Sequence, residues 1–199
     1  MALTMTDKVL GETFGATEGT ALRVKQAVMV VAGIALLALA AKIKIPMWPV
    51  PITMGTFAVL TLGAAYGPRL GLVTILGYLI LGALGLEVFA GSGAEAAGLS
   101  YMMGGTGGYL LGYVFAVGLL GMAARAGLDR SVGGMVAALV AGNVAIYVPG
   151  VLWLGVLYGW DQPLMAWGVT PFLVGDVLKL ALAALLVPGL WKLVGDARR

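Results

Sequence analysis

Residues 171–188 read PFLVGDVLKLALAALLVP, and inside this apolar run stand Asp176 and Lys179. A charged side chain at the centre of a bilayer costs about 2.5–3.5 kcal/mol on insertion scales. A sequence keeps two of them only where something answers that cost. Their i, i+3 spacing places them on neighbouring positions of one helix face, where each partly neutralises the other. One reading is an internal ion pair that lets the helix insert. The other is the polar centre of a site facing a cavity, where Lys179 meets an anion and Asp176 meets a hydrogen-bond donor.

The remaining sequence gives this segment its setting. Of 199 residues, 61% are hydrophobic and 11% charged, and the mean hydropathy is +1.02. A soluble domain carries about 25% charged residues, so the chain reads as an all-α, polytopic membrane protein forming one compact bundle. Its 32 glycines suit membrane helices that approach closely without a hydrophobic drive between them. The net charge of +3 is scattered over helix ends and reports topology, not nucleic-acid binding. With no Cys and no His, the chain lacks thiolate nucleophiles, imidazole bases, disulfides and Cys or His metal sites. Residues 1–23 mix Asp7, Lys8, Glu12 and Glu18 with Gly and Thr and have no apolar h-region. They read as a cytosolic tail rather than a signal peptide, ahead of a single transmembrane domain over 24–199.

Six spans are expected, at about 24–45, 53–65, 70–86, 106–126, 132–158 and 171–194. A bilayer core takes about 20 apolar residues per helix, and the second span is shorter than that. With the N-terminus in the cytosol, Lys8, Arg23, Lys25, Arg69, Arg125, Arg130, Lys192, Arg198 and Arg199 lie inside. Of the basic residues in loops, only Lys42 and Lys44 lie outside, a strong positive-inside bias. An even number of spans returns the C-terminus to the same side.

Three outer loops then stand out. The stretch 42–52 holds three prolines and Trp48, and is expected to be extended and stiff. The stretch 87–103 is long and Gly/Ser-rich, which suits a lid. The third, 159–169, carries Trp160 and Trp167. The sixth span starts from the outer side, so Asp176 lies about 9 Å and Lys179 about 13 Å below Thr170. Both fall in the outer half, beneath the helix N-terminus whose positive end favours an anion. Together these features point to a pocket open to the outside.

Other motifs carry less. Gly104, Gly108 and Gly112 repeat at spacing four, as do Gly63, Gly67 and Gly71, a pattern of close helix packing. Asn143 and Tyr147 lie one turn apart in the fifth span, as interhelical glue or as ligand contacts. Trp153, Tyr158, Trp160 and Trp167 read as interfacial anchors. No nucleotide-binding motif or nucleophile elbow occurs. An enzyme would need a nucleophile, base or metal site. A channel would need polar rings through both leaflets, and here the charged pair lies in one.

The motifs resemble the BioY family, the substrate-binding S components of energy-coupling factor (ECF) biotin transporters. The resemblance runs from about Pro46 to Leu186. It rests on PVPIT at 49–53 with Thr56, GPRLG at 67–71, VFAG at 88–91, and TGGYLLG at 106–112. Further on it rests on Ile146 and Tyr147, GVLWL at 150–154, PFL at 171–173, Gly175, Asp176 and Lys179. The chain departs from the family at Gly55, where Gln is common, and at Glu87, Gly105 and Val174, where Pro is usual. The resemblance implies a six-helix S component in a bacterial cytoplasmic membrane that captures biotin on the outer side. It implies a substrate site drawn from Asp176, Lys179, Asn143, Tyr147, Thr53, Phe89 and Trp48. It also implies partners: a transmembrane T component and two ATP-binding subunits, with no cofactor or nucleotide site in this chain. An S component for another vitamin, or a solitary biotin transporter without the ATPase module, remain the alternative readings.

Overall fold

A computed structural model describes residues 8–91 and 97–196. The part of the 87–103 stretch over 92–96, and Arg198 and Arg199, therefore lie outside the described residues. Seven α-helices follow in order: α1 Gly19–Lys42, α2 Gly55–Ala83, α3 Gly98–Met102, α4 Gly107–Arg125, α5 Val132–Tyr158, α6 Leu164–Gly168 and α7 Thr170–Asp196. Two short strands, β1 Lys44–Ile45 and β2 Ile52–Thr53, pair antiparallel with Lys44 opposite Thr53. The proline-rich stretch is thus the tip of a hairpin that delivers the chain from α1 into α2.

Among the described residues five helices are long and apolar enough to cross a membrane, against six expected spans. The difference lies in α2, which is two helices joined at Gly67. There the backbone takes φ 74° and ψ 176°, a region open to glycine and not to L side chains. Pro68 follows, with no N–H to continue the ladder. A Cβ on Gly71 would lie 3.8 Å from the Cα of Gly63, whereas eight residues along a straight helix span about 12 Å. The chain therefore doubles back, as GPR at 67–69 predicts. The first arm, 55–66, spans only about 18 Å, and the β hairpin leads into it.

Glycine decides how closely the arms pack. A Cβ on Gly112 would sit 2.7 Å from the Cα of Ile146, and one on Gly108 would sit 2.2 Å from the carbonyl oxygen of Pro149. These positions let α4 lie backbone to backbone on α5, the purpose expected of the spacing-four repeat. On the other side of α4, Gly63 and Gly71 meet Val117. Leu60, Ile75, Leu120, Leu139 and Ile146 fill the seam between these helices and are almost wholly buried. Outward-facing Val28, Val31, Leu39, Val177 and Leu178 are more than half exposed. So broad an apolar surface has the bilayer as its solvent.

At the end of the bundle holding the Gly67 turn, the N-terminal segment is tied down. Val9 is fully buried beneath Gly67. Glu12 pairs with Arg125 at 2.5 Å, and Arg130 donates to the carbonyl oxygen of Lys8. The turn between α4 and α5 uses Gly127 at φ 81° and the Ser131 hydroxyl, which caps α5 by accepting from the Gly134 N–H. Asp129 in this turn is buried, accepts from the Trp191 indole at 2.5 Å, and leaves Oδ1 without a partner among the described residues. The Arg130 guanidinium lies 4.4 Å over the Trp191 ring. Burial pushes the Asp129 carboxyl above its ordinary range, against the opposing pull of the Trp191 hydrogen bond and the Arg130 charge.

Candidate functional site: a tyrosine-walled cavity on a buried ion pair

α7 carries Asp176 and Lys179 into the bundle on the face turned to α2 and α5. Lys179 Nζ donates to Asp176 Oδ1 at 3.0 Å and to the Thr56 hydroxyl at 3.1 Å. The remaining acceptor capacity of Asp176 is taken up by α5: Tyr147 donates its hydroxyl to Oδ2, and the Asn143 amide lies 3.4 Å from the same oxygen. Both side chains of the pair are buried, at 11% and 5% exposure. The internal pair forms, and its lysine also reaches Thr56. Asp176 thus meets three donors, one of them the Lys179 ammonium.

The ammonium has three N–H donors and two partners among the described residues, which leaves one to offer. It offers that donor to a cavity. Lys179, Thr56 and Thr53 supply polar groups to one wall, and Tyr147, Tyr109, Tyr113 and Phe172 supply aromatic ones. Tyr78, Phe89 and Tyr101 also line it. Phe89 is 1% exposed, stacked on Tyr101 at 5.2 Å and edge-on to Tyr78 at 5.3 Å. The free volume is about 60 Å³, whereas small-molecule sites usually measure about 300–1,000 Å³.

Of the residues singled out from sequence, Lys179, Tyr147, Thr53 and Phe89 line this cavity. Asn143 and Asp176 stand one layer back, where they also floor an apolar groove between α5 and α7 on the bilayer side. Trp48 is elsewhere. It is 64% exposed and sits edge-on between Tyr158 and Trp167, at 5.4 and 5.1 Å, in an aromatic cluster over the hairpin tip. Trp153 does more than anchor an interface: its indole donates to the Gly104 carbonyl oxygen at 2.8 Å.

Sequence reasoning passed over the tyrosine wall. Tyr78, Tyr109 and Tyr113 lie well inside apolar spans, away from the interfacial belt where tyrosine is ordinary. A hydroxyl at that depth needs a partner, and that was the available signal. Tyr109 donates to the Gly168 carbonyl oxygen at 2.8 Å and Tyr78 to that of Val88 at 3.1 Å. Tyr113 shares a hydrogen bond with Thr53. The departure at Gly55 has a local reason, since a Cβ there would lie 2.9 Å from both the Tyr113 and Thr53 hydroxyl oxygens.

Comparison with known proteins fits this architecture. A crystal structure described as the S-component for biotin from an ECF-type ABC transporter superposes with a TM-score of 0.74. It covers 88% of this chain and 95% of its own, at 24% identity, and so shares the fold. A probable biotin transporter BioY of Pyrococcus horikoshii is 35% identical over 83% of this chain and 95% of its own length. The biotin transporter BioY of Thermotoga maritima is 35% identical over 80% and 91%. The profile of the BioY family matches residues 12–196, from the Glu12–Arg125 tie to the end of α7, and the chain belongs to that family.

Proposed function

We propose that this chain captures biotin in the cavity beside Lys179 and carries it across the cytoplasmic membrane as the substrate-binding component of an uptake system. One observation carries the reading: a buried lysine, paired with Asp176, borders a cavity walled by tyrosines and Phe89. Biotin's valerate is an anion and suits Lys179. Its ureido group has N–H donors and a carbonyl acceptor, which suit the hydroxyls of Thr53, Thr56 and Tyr147 and the Asp176–Asn143 layer behind them. Its fused rings suit the aromatic walls. A site matched to these polar groups rejects analogues that lack them. In this reading Trp48 belongs to the rim above the cavity rather than to its wall. The end with Lys8, Arg125 and Arg130 faces the cytosol, and the hairpin end faces outward.

A transmembrane T component and two ATP-binding subunits complete the system. Ala32 and Ala35 are exposed on α1 and Ala38 is half-buried beside them, a smooth face for a partner helix. Ala35→Trp is expected to leave biotin binding intact and to reduce uptake, measured on the same variant. Loss of binding in step with uptake would make this face a support of the fold instead. The main test is equilibrium binding of labelled biotin to the purified protein, with thiamine and riboflavin as competitors. Saturable binding that neither competitor displaces is the expected result. Displacement by either would assign the cavity to another vitamin.

A further inference from the structure

α5 lies on α4 backbone to backbone, but it stands off from α7. A Cβ on Gly175 of α7 would touch only Ile52, at 4.0 Å, and those on Gly189 and Gly195 would meet nothing within 4 Å. The two helices are bridged instead by the hydrogen bonds of Asn143 and Tyr147 to Asp176. The gap they leave is the bilayer-side groove, of about 550 Å³. Two ridges at spacing four wall it. Val140, Val144, Val148 and Leu152 run along α5, and Val169, Leu173 and Val177 run onto α7. Apart from Asn143, Tyr147 and Asp176 at the floor, every lining side chain is aliphatic or methionine. Val144, Val148, Leu152 and Val177 are more than half exposed, so the groove opens on the surface whose solvent is the bilayer. One end reaches Met165 of α6, beside the hairpin tip, where Trp167 meets Trp48. From Val140 to Leu152 the groove runs about 18 Å, close to the hydrocarbon depth of one leaflet, about 15 Å.

We propose that this groove is a binding site for one acyl chain of a membrane phospholipid, from the leaflet at the hairpin end. Three points carry this. The walls are aliphatic, so water gains little there, and a gap beside fluid hydrocarbon fills with hydrocarbon to recover dispersion contacts. The ridges are mostly valine, stiff at χ1, so the walls hold their shape for a flexible chain to follow. The ridges also lack small residues, which a partner helix in a membrane needs for close approach. That sets this face apart from the alanine face of α1. The occupant matters to the cavity, because Tyr147 lines both hollows. An acyl chain behind Tyr147 and Asn143 keeps water from their bonds to Asp176, and such bonds are strongest in dry surroundings. The lipid chain is thus a back wall of the layer that holds Lys179. The site does not rest on the biotin reading; its consequence for biotin affinity does.

The test uses the purified chain at one copy per nanodisc of phosphatidylcholine, part of it carrying a photoreactive diazirine midway along one acyl chain. Adducts are mapped by mass spectrometry of peptides. The reference surface is the α1 face at Val28, Val31 and Leu39, which is at least as exposed. Adducts on the two ridges are expected to exceed those on α1 by about tenfold. Val144→Trp/Val148→Trp fills the groove with protein and is expected to remove that excess while α1 adducts stay unchanged. Val177→Trp, on the opposite ridge, repeats the test should the pair fail to fold. Ridge adducts no more frequent than those on α1 overturn the site, and so does an excess that survives both fillings. Ridges shielded from lipid in a dimeric fraction assign the face to a second copy instead. The back wall is tested by biotin affinity in a detergent with a rigid steroid body and no alkyl tail. The parent is expected to bind about tenfold more weakly there than in nanodiscs and to recover on adding phospholipid. The tryptophan pair, with its groove already filled, is expected to bind alike in both. Equal affinity of the parent in both media overturns the back wall, as does an equal loss in the tryptophan pair. A ridge excess in a protein that binds no biotin upholds the lipid site and sinks the biotin reading alone.

Discussion

Among the described residues two aspartates are buried, toward opposite ends of the bundle, and they do different work. Asp176 is surrounded by three donors from α5 and α7, and the lysine it holds lines a cavity. Asp129 has one indole donor, an orphaned Oδ1 and a cation stacked over its partner ring, and lines none of the three principal hollows. Burial of a carboxylate is thus no mark of a ligand site by itself. What distinguishes Asp176 is that it pairs with a lysine that has a donor to spare and lines a cavity. Asp129 instead joins the turn between α4 and α5 to α7, close to the strapped N-terminal segment.

The largest break in this contrast comes from Lys179→Met. It leaves Asp176 with only Asn143 and Tyr147 and takes the cation from the cavity. Removing one member of a buried pair costs about 3–5 kcal/mol. Biotin affinity is expected to fall by about two orders of magnitude, with the protein still eluting as a folded species on size exclusion. An affinity equal to the parent's would make the pair an insertion device only. Asp176→Asn is expected to act in the same direction, because it strands Lys179 without its counter-ion.

Tyr147→Phe sharpens the comparison by removing one donor and no charge. A hydrogen bond to a charged group contributes about 1.5–3 kcal/mol. Isothermal or radioligand binding is expected to give an affinity about tenfold weaker. At the opposite end, Trp191→Phe takes the only described donor from Asp129. It is expected to lower thermal stability, by about 1–3 kcal/mol for a stranded buried group, while biotin affinity stays within twofold. A loss of affinity there would mean that the two ends are coupled.

The smallest effect concerns pH. The Asp129 carboxyl is held above its ordinary range, so the folded state binds a proton more readily than the unfolded chain does. Its ionised form therefore costs stability at neutral pH, and that cost is relieved as pH falls through the raised value. Asp129→Asn is expected to be slightly more stable than the parent at pH 7, with the difference closing on acidification. Thermal melts of both proteins across that range check the sign. A variant less stable than the parent at pH 7 would mean that the Arg130 charge outweighs burial.

Sequence alone determined the solvent, the packing chemistry and the pairing of Asp176 with Lys179. An 11% charged composition cannot solvate a bundle in water, and glycine at spacing four has little use but close approach. The turn at Gly67 was legible because Pro after Gly stops a helix wherever it occurs, and an i, i+3 pair is a local relation that α-helical geometry settles. Contacts that join distant segments were not legible. That Lys179 reaches Thr56, that Tyr147 rather than solvent answers Asp176, and that four tyrosines from α2, α4 and α5 line one cavity all depend on helix rotation and crossing. Those are set by which glycines let which backbones touch, and no single segment records them. Trp48 shows the limit most simply: a residue's chemistry suits it to a ligand wall, but only the path of the hairpin decides whether it faces the cavity or the rim.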